Sequence, residues 1–142
     1  MVIFTIKDVD KLKKYLEICM IHDGTFDKAT YNQKNRRFSV IVNNIVWNEY
    51  IELEFCGIYK FAVVPSTQAD FCFQDVINGL TIINNSALLS CNVGDCLNDF
   101  DRAHYLCTVF ELMSGWEIYI ACEKVIIRNK TGEGSLSSEN TE

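Results

Sequence analysis

The chain has 142 residues, 49% hydrophobic and 23% charged, enough apolar material for one buried core and too much for a wholly disordered chain. With 19 Asp and Glu against 13 Lys and Arg the formal net charge is −6. Nucleic-acid affinity comes chiefly from cations that neutralise phosphates, so this balance argues against such a partner. No apolar run approaches the roughly 20 residues of a membrane-spanning helix, and MVIFTIKDVDKLKK is too short in its apolar part for a signal peptide. A cytoplasmic protein with no membrane partner is expected.

The first segment reads as a short strand followed by a helix. Thr5-Ile6-Lys7-Asp8 has the form of a capping box, and Val9, Leu12, Leu16, Cys19 and Met20 recur at three- and four-residue steps, which places them on one helical face. That stripe is expected to pack on the sheet. Ile21-His22-Asp23-Gly24 ends the helix, with Gly24 expected to supply the freedom in φ that a helix exit uses. His22 beside Asp23 has the composition of a carboxylate-paired general base or a metal-ligand set, but adjacent residues of a strand point to opposite faces, so capping and turn hydrogen bonding is the expected role.

Thr25 to Val64 carries the strongest pattern and reads as an antiparallel meander. Phe38, Val40 and Val42 alternate with Arg37, Ser39 and Ile41, and Ile51, Leu53 and Phe55 alternate with Tyr50, Glu52 and Glu54. Gln33-Lys34-Asn35 is the hairpin turn between Thr25–Asn32 and Arg36–Asn43, and the basic run Lys34, Arg36 and Arg37 reads as a solvated turn. Glu52 and Glu54 read as a solvated strand face rather than paired catalytic carboxylates. Cys56-Gly57 marks a bulge or tight turn before the strand Ile58–Val64, and Pro65 stops that strand because it lacks a donor.

Phe71, Phe73, Val76, Ile77 and Leu80 fit one face of a short helix, or Phe71 and Phe73 a strand entry, and Gly79 with Thr81-Ile82-Ile83 argues for a following strand. Ser86–Val93 reads as another strand. Gly94 to His104 is the stretch richest in chemistry: Asp95, Asp99, Asp101 and His104 are hard oxygen ligands and an imidazole of the kind a divalent metal takes. Their spacing fits no established loop, and a solvated acidic connection has the same composition, so no cofactor is expected. Tyr105–Leu112, Trp116–Cys122 and Lys124–Asn129 read as three strands, with Met113-Ser114-Gly115 as a hairpin turn and an offset near Glu123. Residues 131 to 142 are small, polar and acidic and read as a disordered tail after a single domain over 1–130.

Of the seven cysteines, Cys19, Cys56, Cys72, Cys107 and Cys122 lie in apolar runs, and no Cys-x-x-Cys pair occurs, so all are read as reduced thiols. The whole is read as one α+β domain: mainly antiparallel β, a sandwich or curved sheet built on the meander, with an N-terminal helix.

The helix, the His22-Asp23 exit, a meander ending IELEFCGIYKF and a closing FELMSGWEIYIACEKVII resemble small bacterial proteins, including immunity-type proteins that neutralise toxins. The resemblance implies a protein that binds another protein. A non-enzymatic binding module is therefore the leading expectation, with a basic partner if charge leads recognition. The alternatives are a metal-assisted hydrolase using Asp95, Asp99, Asp101 and His104, with His22 as a further candidate, and a small-molecule binder lined by Trp47, Phe71, Phe73 and Trp116.

Overall fold

A computed structural model describes residues 1–18, 21–44, 49–66, 76–84 and 96–131. The strands are β1 (Val2–Thr5), β2 (Thr25–Asn32), β3 (Arg37–Asn44), β4 (Glu49–Cys56), β5 (Lys60–Val64), β6 (Ile77–Ile82), β7 (Leu106–Leu112), β8 (Glu117–Cys122) and β9 (Lys124–Thr131). Helix α1 spans Val9–Ile18 and a short helix α2 spans Asp99–His104. A five-stranded sheet has the order β1-β9-β4-β3-β2, a four-stranded sheet the order β5-β8-β7-β6, and every pairing is antiparallel. The protein is therefore the expected α+β type, mainly antiparallel β with one N-terminal helix.

The two sheets are joined at a corner that falls on the breaks the sequence marks at Cys56-Gly57 and near Glu123, though the pattern does not say that the strands on either side part into different sheets. β4 and β9 pair as far as Cys56↔Lys124, and the same two stretches of chain, continued as β5 and β8, pair again from Lys60↔Ala121 in the other sheet. Glu123 N donates to Cys56 O at 3.1 Å and Tyr59 N donates to Ala121 O at 2.8 Å, holding the bend. Gly57 sits there at φ +66°, and a Cβ would run into the Glu123 side chain, so two separate constraints select glycine. The meander expected over Thr25–Val64 is corrected by this corner. It ends at β4, whose second neighbour is β9, and β5 departs to the other sheet.

The core lies between the sheets. Phe38, Val40, Val42, Ile51, Leu53 and Phe55 are all at most 3% exposed, as their alternation predicts, and Phe110 of the second sheet meets Phe26 and Phe55 edge-on with centroids 5.4 and 5.8 Å away. Such aromatic pairs add about 0.5–1.5 kcal/mol beyond their burial. Strand β2 reaches this core in spite of a broken alternation. Its register to β3 shifts between Phe26 and Lys28, so Asp27 is an extra residue, and the bulge returns Ala29 to the side that Phe26 occupies. A second shift between Ile77 and Gly79 does the same for Ile77 and Leu80 in β6.

The capping box is present, with Thr5 N donating to Asp8 Oδ2 at 2.9 Å, but it opens a 3-10 turn over Ile6–Asp8 before α1 begins. Val9 and Leu12 are buried and Tyr15 and Leu16 half-buried, as the stripe requires, whereas Cys19 and Met20 lie outside the described residues. At the helix exit the left-handed residue is Asp23, at φ 68°, not Gly24. Glycine is needed at 24 for space: a Cβ there would come within 2.6 Å of Val42 Cγ1 and 3.1 Å of Ile21 O.

Candidate functional site

Of the four residues singled out as metal ligands, Asp95 lies outside the described residues and the other three point to separate structural tasks. Asn98 caps α2 by accepting from Asp101 N at 2.9 Å, while the Asp101 carboxylate accepts from Asn98 N at 3.0 Å. Asp101 is 1% exposed and also accepts from Lys60 Nζ at 2.8 Å. That hydrogen bond holds the Lys60 ammonium above its ordinary pKa. Asp99 is exposed and paired with Arg102, and His104 Nδ1 donates to Phe100 O at 2.9 Å while its ring stacks on Phe100. Among the described residues no three His, Cys, Asp or Glu side chains gather as a metal centre would need. The expectation of a solvated connection is also corrected, because α2 and its flank tie into the fold. Leu97 and Tyr105 pack with Cys107, Val109, Tyr119 and Ala121 on the outer face of the second sheet.

The remaining polar candidates have equally local roles. His22 Nδ1 lies 2.9 Å from Asp23 Oδ2 in an exposed turn. Glu54 is flanked by Arg37 at 2.5 Å and Arg128 at 3.5 Å, with Glu52 3.8 Å from Arg128, so the strand face carries a cross-strand charge row rather than two neighbouring free carboxylates. Burial raises the thiol pKa of Cys56 and Cys122 and pushes Cys107 up to about 12, which leaves each protonated and a poor nucleophile at neutral pH. Cys19, Cys72 and Cys91 lie outside the described residues, as do Trp47, Phe71, Phe73 and the strand expected over Ser86–Val93.

One concave feature is built almost entirely of large apolar side chains. Phe26, Ala29 and Phe38 from β2 and β3 face Phe61 and Val63 from β5 and Trp116 and Ile118 at β8, enclosing a cleft of about 280 Å³. It lies where edge strand β2 of one sheet approaches edge strand β5 of the other. Tyr31 stacks flat on Phe61 at 4.4 Å and closes one end, and Phe61 leans on Phe38 at 4.9 Å. Val63 remains 43% exposed in the opening. An exposed β-branched residue beside two buried aromatics, Phe26 and Phe38, and two half-buried ones, Phe61 and Trp116, is the mark of a contact surface rather than of a finished core.

Trp116 is the member of this group that the sequence reading anticipated as an aromatic binding residue. The sequence marks Phe61 and Val63 only as strand residues, and Ala29 carries no signal. The available clue was that Phe61–Val64 is apolar on both faces, although β5 is an edge strand; only the sheet order reveals that contrast.

No protein-family model matches this chain, and no curated protein matches it in sequence. No helix among the described residues is long and apolar enough to cross a membrane.

Proposed function

We propose that this protein is a non-enzymatic protein-binding module and that a partner's apolar side chain docks in the cleft between β2 and β5. The open, wholly apolar cleft beside a strand edge is the observation that carries this reading. A small-molecule site is usually about 300–1,000 Å³ and encloses most of its ligand. This cleft is smaller and open, which suits one side chain on a segment whose backbone stays outside. Binding by edge-strand addition works in that way: main-chain hydrogen bonds supply affinity and pockets for alternate side chains supply selectivity. The hydrolase reading has less support, because the Asp99 and Asp101 carboxylates are committed to Arg102, Lys60 and the α2 cap. An immunity-type role, with a toxin as the partner, is the form of this function that the sequence resemblance suggests.

Peptide-display selection against the protein, counter-selected with Val63→Arg, tests the proposal. Val63 is half exposed, so the substitution fills the cleft with charge while leaving the fold intact, as an unchanged melting midpoint would verify. Enriched peptides should bind the parent protein and lose binding to Val63→Arg. Peptides that bind both proteins equally would refute the cleft as the site.

A further inference from the structure

We infer that the segment taken by this cleft is an extended acidic one, carrying a large apolar side chain next to Asp or Glu; this rests on the binding function proposed above. The charge of the whole chain points toward a basic partner, but the charge beside the cleft has the opposite sign. Lys28 on β2 and Lys34 and Arg36 on the β2–β3 turn are exposed, and none has a carboxylate within ion-pairing distance among the described residues. The other cations of this region are already engaged: Arg37 with Glu54, Lys60 with Asp101 and Arg128 with Glu52 and Glu54. The turn is held against the start of β5, since Ile58 N donates to Arg36 O at 3.0 Å. Lys34 and Arg36 therefore lie beyond the Tyr31–Phe61 stack, at one end of the cleft, whereas Lys28 stands midway along β2 between Phe26 and Ala29. Asp27 and Glu117 adjoin Phe26 and Trp116 toward the other end, so a bound segment meets a polarised groove.

Edge geometry also selects where the segment pairs. Strand β2 is interrupted at Asp27 by its bulge and is bridged at Thr25 to Val76, both of which discourage a regular added strand. Strand β5 pairs with β8 in unbroken register from Lys60 to Val64, and among the described residues no strand lies on its other side. An added strand on β5 places alternate side chains over Phe61 and Val63 and its flank near the Lys34–Arg36 turn.

The test uses capped, dye-labelled peptides with a Val-Trp-Val centre and two glutamates before or after it, their lysine counterparts, and versions with glycine in place of tryptophan. Anisotropy titration of the full chain should show one glutamate peptide binding roughly three- to tenfold more tightly than its lysine counterpart at low salt, with the difference shrinking by about 0.5 M salt. Lys34→Glu combined with Arg36→Glu, both exposed, should reverse the preference, and the glycine versions and Val63→Arg should abolish binding. Lysine peptides binding as tightly as glutamate peptides would overturn the acidic selectivity while leaving the cleft as the docking site. Binding that is indifferent to tryptophan, or no binding by any peptide, would overturn both.

Discussion

On one flank of the sandwich α1 packs against β1 and β6, burying Val9 and Leu12 and setting Tyr15 against Phe4 at 5.4 Å; on the other flank β2 and β5 are bridged by aromatic rings with an open cleft beside them. Both flanks present the same problem, since two stacked sheets leave apolar side chains at their rims. A helix solves it in the first case. In the second, Phe61 and Tyr31 stack and Val63 stays in contact with solvent. A flank closed by the chain itself serves stability, whereas one left apolar and open is available to a partner.

The sharpest way to break this comparison is to truncate matched residues on the two flanks. Leu12→Ala should cost about 2–5 kcal/mol, because it removes a fully buried side chain and leaves a cavity between helix and sheets. Urea melts would measure it, and a loss below about 1 kcal/mol would mean that α1 is not an integral part of the core. Thr5→Ala should cost about 1 kcal/mol by removing the side-chain acceptor that opens the helical segment.

The same cap predicts a pH dependence. The Asp8 carboxyl is held below its ordinary pKa, first by the hydrogen bond from the Thr5 backbone and then by the Thr5 hydroxyl, with Lys11 and Lys7 adding to it. A carboxylate with a depressed folded pKa stabilises the protein above its unfolded value of about 4, and that contribution is lost as pH falls through the folded value. The stability gap between the parent protein and Asp8→Asn should therefore be widest near neutrality and shrink as pH falls through the folded value. A gap that is constant with pH would show that the carboxylate charge is immaterial to the cap. The smallest effect belongs to the open flank: Val63→Ala should change stability by no more than about 0.5 kcal/mol, while weakening peptide binding. A core-sized loss there would mean that the cleft is ordinary interior.

Much of the local structure was legible because nearest neighbours along the chain determine it. The period of two in Phe38–Val42 and Ile51–Phe55 identified the buried face, and Thr5-x-x-Asp8 and Met113-Ser114-Gly115 identified a cap and a turn; Gly115 takes φ +98° between β7 and β8. The candidate site was hardly legible. Its residues run from Phe26 to Ile118 on four strands, and Ala29 joins them only because of an extra residue at Asp27. Asp101 misled for a related reason: an aspartate in an acidic run looks solvated until Lys60, far away in the chain, is brought to within 2.8 Å.

By itself the sequence determined the α+β class, the buried strand faces, the helix start and the hairpins, since each follows from periodicity, capping or turn chemistry within a few residues. Tertiary structure decided that β5 leaves the meander, that β8 and β9 divide between two sheets at Glu123, and that one flank is closed by a helix while the other stays open. Those outcomes depend on strand pairings between distant segments, such as Cys56 with Lys124 and Lys60 with Ala121. Pairing of that kind is selected by the packing of the whole core, to which no local pattern corresponds.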